Sequence, residues 1–122
     1  MLSWSTIAYG AALSAVVASG LTTLVIHPRR LAVIATAGLA AGLGPAAWNA
    51  ILRATHASQF FTDAPVAVLP ASWQDTGSGV FALALASVVV GLGVWPDQPG
   101  RRTVAVALLC GLAAFLVDVY LY

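Results

Sequence analysis

The sequence predicts an all-α membrane protein, with four transmembrane helices as two hairpins and an extended outer-face loop between helices 2 and 3. Three observations carry this. Hydrophobic residues make up 61% of the 122 and charged residues 7%, with neither Lys nor Glu, far outside the usage of soluble domains. Uncharged runs long enough to cross roughly 30 Å of hydrocarbon, about 20 residues each, recur along the chain. The arginines gather in two proline-bearing turns between those runs. A single four-helix transmembrane domain therefore covers residues 1–122.

The first span, about 3–26, carries no charge and stops at His27-Pro28-Arg29-Arg30. Its uncharged leader and long apolar stretch argue against a cleaved signal peptide. The second, about 31–53, is equally clean and ends at Arg53. Pro45 leaves a backbone carbonyl without its donor and should kink this helix toward its outer half. The third, about 77–95, is closed by Pro96-Asp97-Gln98-Pro99-Gly100-Arg101-Arg102; the fourth, about 102–121, is interrupted only by Asp118.

Both tight turns end in an Arg pair, whereas the connection between hairpins sets one Arg against Asp63 and Asp75. The positive-inside rule assigns the turns to the cytoplasm and both termini to the outside of a bacterial inner membrane. Trp4, Trp73, Tyr120 and Tyr122 then fall at the outer headgroup level and Trp95 at the inner one, where aromatic rings are favoured. Gly38-Leu39-Ala40-Ala41 recurs as Gly111-Leu112-Ala113-Ala114, each after a Pro-and-double-Arg turn, as a duplicated hairpin would give.

Lipid tails are as apolar as Leu, so spans associate through close backbone approach and sparse hydrogen bonds. Gly10 with Ser14, Gly38 with Gly42, Ser87 with Gly91 and Ala107 with Gly111 have the spacing for this, as does Ala15 with Ser19. Cys110, inside an apolar run, reads as a small packing residue. The connection, about 54–76, is too apolar for a solvated tail, and Pro65 and Pro70 forbid one continuous helix. An interfacial segment is expected there, with Phe60, Phe61, Val66, Leu69 and Trp73 as a candidate docking surface for a partner.

Asp118 is the one acid within a span, and charged groups inside membranes usually face a partner. At ~1.5 Å per residue it lies roughly 24 Å from the inner edge, at the depth of Arg53, which makes Arg53 and Asp118 a candidate ion pair, the alternative being separate snorkelling to the headgroups. His27 and His56 are separated by the second span and neither has a second ligand nearby, so no metal or haem is implied. Asp75-Thr76-Gly77-Ser78 matches an aspartic-protease tetrapeptide, but that chemistry needs two carboxylates in a β-rich frame. A helix cap, with Asp75, Thr76 or Ser78 as acceptor, accounts for it.

The net charge of +1 and scattered arginines give no nucleic-acid footprint. No acid, base, nucleophile and oxyanion donor can be placed together, so neither an enzyme nor a cofactor is expected. Packing faces, aromatic anchors and a docking loop are the equipment of a non-catalytic accessory subunit whose partners are the bilayer and other membrane subunits. The alternative is a small oligomeric transporter or channel using Ser14, Ser19, Thr22, Thr23, Thr36, Asn49 and Ser87.

Overall fold

The computed structural model describes residues 2–27, 30–65 and 68–121. The chain is all-helical, and no strand occurs among the described residues. Four helices are long and apolar enough to cross a membrane.

Helix α1, Trp4–Val25, starts on Ser3, whose hydroxyl accepts from the Thr6 amide. It ends at Ile26 in extended backbone, two residues before Pro28, past which a helix cannot simply continue. Helix α2, Leu31–Thr55, runs unbroken through Pro45 and is closed by His56 in the left-handed conformation. Its 25 residues span ~37 Å at 1.5 Å each. A short 3-10 turn, Ser58–Phe61, begins the connection.

Helix α3, Trp73–Val89, opens four residues before the predicted span. Ser72 is its N-cap and Asp75 reciprocates: the Asp75 amide donates to Ser72 Oγ at 3.2 Å and the Ser72 amide to Asp75 Oδ2 at 2.8 Å. This capping box places Trp73 in the first turn of α3, correcting its assignment to the loop. The cap acceptor is thus Ser72, with Asp75 in the reciprocal role, while Ser78 lies inside the helix. The last turn, Val90–Val94, widens to π-helical geometry and Trp95 closes it, donating to the Val90 carbonyl at 2.7 Å. Helix α4, Gly100–Tyr120, completes the bundle.

Small residues fill the interior. Ala18, Ala37, Ala41, Ala82, Ala86, Ala113 and Ala114 are fully buried, while Leu31, Leu39, Leu43, Leu92 and Leu108 are exposed. Water would impose the opposite order; a lipid solvent, which gives Leu no reason to hide, leaves backbone approach to decide the packing. Gly38 and Gly42 of α2 lie against α1, Gly38 on Ser19 and Gly42 on Ala15 and the Ala11 carbonyl. Gly44 meets α3 at Ala82, and Gly79 of α3 meets Gly111 of α4. Cys110 Sγ donates to the Ala37 carbonyl at 3.3 Å, linking α4 to α2.

Of the predicted packing residues, Gly10, Ser14, Gly38, Gly42, Ala107 and Gly111 are buried. Ser87 is half-buried and its hydroxyl returns to the Leu83 carbonyl of its own helix at 2.8 Å. Gly91, in the π-helical turn, faces Thr103. The two Gly-Leu-Ala-Ala segments share one pattern: Leu39 and Leu112 face out, the Gly and both Ala are buried, and each Gly packs on the preceding helix.

Candidate functional site

Polar side chains from three helices converge at the end of the bundle opposite the paired arginines. α2 contributes Asn49, α3 Gln74 and Ser78, and α4 Asp118, all at most 4% exposed. Gln74 is the hub. Its Nε2 lies 2.9 Å from Asp118 Oδ2, 3.1 Å from Asn49 Oδ1 and 3.3 Å from Ser78 Oγ. An amide has two N–H donors, so the contact to Ser78, the longest, is the weakest of the three. Asn49 is oriented by its own helix, Nδ2 donating to the Pro45 carbonyl at 2.9 Å, which turns Oδ1 toward Gln74.

An aromatic collar fixes the hub from outside. Trp48 Nε1 donates to the Gln74 carbonyl at 3.0 Å, and the Trp48 ring lies where a Cβ on Gly77 would have to stand. Phe81 lies 5.1 Å from that ring, centroid to centroid, and Phe60 meets it edge-on at 5.8 Å. A polar cavity of about 190 Å³ opens beside the cluster, lined by Phe61, Asp63, Ser72, Gln74, Asp75 and Asp118. Among the described residues, no group of three His, Cys, Asp or Glu side chains is arranged to hold a metal ion. The hydrogen bonds of the cluster form an amide clamp joining α2, α3 and α4. Interhelical hydrogen bonds in membranes contribute ~0.6–2 kcal/mol each.

Arg53 and Asp118, the candidate ion pair, are both engaged with other groups. Arg53 Nη1 donates to the Leu2 carbonyl at 2.6 Å and its guanidinium stacks 4.9 Å from the Trp4 ring centroid. Asp118 accepts from Gln74.

The predicted docking residues divide. Phe60 packs on Trp48 and Phe61 lines the polar cavity, both half-buried, whereas Leu69 and Trp73 are exposed. Val66 lies outside the described residues, as do Arg29 of the first turn and Tyr122. Within the connection the Ala64 amide donates to the Ala71 carbonyl, and Tyr120 Oη of α4 ties it to the bundle by donating to the Val68 carbonyl. His27 follows α1 and His56 closes α2, so the two lie at opposite ends of the bundle.

Gln74 and Trp48, the centre of the cluster, do not stand out in sequence. One signal was available: Ser72-Trp73-Gln74-Asp75 has capping-box spacing, which moves the helix start upstream and puts Gln74 in the first turn, at the depth of Asp118. Compared with models of known families, with characterised proteins and with solved structures, the chain gives no match.

Proposed function

We propose that the chain is a small non-catalytic integral membrane subunit, an accessory or structural component of a larger complex in a bacterial inner membrane. In this reading it crosses the bilayer as two hairpins, with both termini and the interfacial connection outside and both Arg-bearing turns in the cytoplasm. The observation that carries the proposal is how the interior is used. Through the body of the bundle the helices meet at Ala and Gly, leaving side-chain volume on the outside. The four-residue polar cluster engages its own members at one end. A scaffold that presents faces to neighbours needs this construction, and the exposed Leu69 of the connection and Trp73 in the first turn of α3 supply an outer contact surface.

One observation favours the alternative of a small oligomeric transporter or channel. Ser14 Oγ and Thr22 Oγ1, both on the inward face of α1, are buried without a hydrogen-bond partner among the described residues, and buried hydroxyls without partners are costly in hydrocarbon. The distinguishing experiment is extraction of the tagged full-length protein in mild detergent, followed by mass spectrometry of co-purifying proteins and a native mass. Larger membrane subunits at fixed stoichiometry are expected. A homo-oligomer with no companions would overturn the subunit reading, and ion flux in liposomes would then test the alternative.

A further inference from the structure

Arg102 pins the two Arg-bearing turns to each other. Its guanidinium stacks on Trp95, 4.4 Å from the ring centroid, while Nη1 donates to Gln98 Oε1 at 3.1 Å and Nη2 to the His27 carbonyl at 2.8 Å. Trp95 is itself buried in the core, so this planar cation is held in a fixed orientation at the edge of the bundle. The bond to His27 joins the end of α1 to the start of α4. It gathers Arg30, the N-cap of α2, and Arg101, in the first turn of α4, at one end of the molecule, both exposed.

Among the described residues, neither α2 nor α4 has a side-chain cap at this end. Because α1 and α3 also end here, the helix macrodipoles oppose one another, and the remaining field is that of the side chains. Asp97 is the acid this end holds; Asp63, Asp75 and Asp118 all belong to the opposite end. Directly beside the arginines stand exposed apolar side chains: Leu31 next to Arg30, Val104 one turn after Arg101, and Leu92 near the end of α3.

We propose that this end binds an anionic phospholipid, with Arg102 orienting the headgroup phosphate, Arg30 and Arg101 adding Coulombic attraction, and the acyl chains lying along Leu31, Leu92 and Val104. Guanidinium groups match phosphate oxygens in geometry as well as charge. A lipid, as opposed to a free anion, is selected by the abrupt change from cation to exposed hydrocarbon, which suits a ligand with a charged head and an apolar body. Basic pockets between spanning helices take such headgroups by the same physics. Lipid binding at this end is independent of whether the chain joins a complex.

The test uses the purified full-length chain in an uncharged detergent, with its thermal unfolding midpoint followed as phosphatidylglycerol is added. Phosphatidylcholine and inorganic phosphate are run in parallel. Phosphatidylglycerol should raise the midpoint saturably, the other two should not, and raising the salt should weaken the effect. Arg30→Gln and Arg101→Gln, which spare the Arg102 stack, should each raise the half-saturating lipid concentration about fivefold. Native mass spectrometry of the unmodified chain, equally loaded with both lipids, should show retained phosphatidylglycerol in excess. Equal effects of phosphatidylcholine, equal effects of free phosphate, equal retention of both lipids, or saturation unchanged in both variants would each overturn the proposal.

Discussion

Asp118 lies where a carboxylate is costly, 2% exposed near the end of a helix whose other charges, Arg101 and Arg102, stand in its first turn. Its described partner is the Gln74 amide at 2.9 Å, and the same amide nitrogen reaches Asn49. Removing Gln74 therefore takes a donor from a buried carboxylate and from a buried amide oxygen at once, and hydrogen bonds to charged groups contribute more than neutral ones. Gln74→Leu should cost about 2–3 kcal/mol of unfolding free energy in detergent, and Ser78→Ala, at the longest contact, under about 1. In a double-mutant cycle, Gln74→Leu with Asp118→Asn should show a coupling of about 1.5–3 kcal/mol. Additive losses measured by denaturation would mean that the 2.9 Å contact contributes nothing. Arg53 illustrates what sequence conveys about such a residue. Counting residues gives depth, and at equal depth Arg53 is the obvious counter-charge. Counting does not give the direction in which a helix turns its side chain. Arg53 faces α1, where Leu2 and Trp4 receive it, and Asp118 faces α3, where Gln74 does.

At the scale of elements, helix contacts divide glycines into those that carry the packing and those that do not. A Cβ on Gly44 would stand 2.6 Å from the Ala82 amide nitrogen and 2.7 Å from its Cα, both backbone atoms of α3 that cannot step aside. On Gly93 it would meet nothing within 4 Å. Gly44→Ala should force α2 and α3 apart and destabilise by about 1–3 kcal/mol, as overpacking does. Gly93→Ala should stay within about 1 kcal/mol of the parent, and parallel unfolding curves would check the pair. Equal behaviour of the two would mean that the α2–α3 approach at Gly44 is not what holds these helices together. The four spans were legible because 20-residue uncharged runs have few other readings, and Gly38, Gly42 and Gly111 because small residues at four-residue spacing mark close approach. Gly44, Gly77 and Gly79 were not, since which glycine meets a neighbour depends on the helix crossing. The start of α3 was missed for a different reason: hydropathy locates the apolar run, but the helix begins where Ser72 and Asp75 satisfy its first amides, ahead of that run.

The whole molecule has two unlike ends joined by a body of small residues. One end holds Asp63, Asp75, Asp118 and the described residues of the connection; the other holds Arg30, Arg101 and Arg102. The two Gly-Leu-Ala-Ala helices touch where Cys110 Sγ meets the Ala37 carbonyl, and each of these residues immediately precedes its segment's Gly. α1 and α3 end, and α2 and α4 begin, at the arginine end, as two halves of the same direction would. Halves of the same direction put both Arg-bearing turns on one side, so a single orientation settles the placement of every loop. In the orientation proposed above, which follows the arginine bias, those turns lie in the cytoplasm. The native cysteine is buried and out of reach of an impermeant thiol reagent, which makes the unmodified chain its own blank. Ser58→Cys, exposed in the connection, should label in intact cells, and Asp97→Cys, exposed in the second turn, only after permeabilisation. The reverse pattern would overturn the arginine assignment and move the phospholipid site to the outer leaflet. Labelling of both from one side would mean that α3, which separates these positions, does not cross the bilayer.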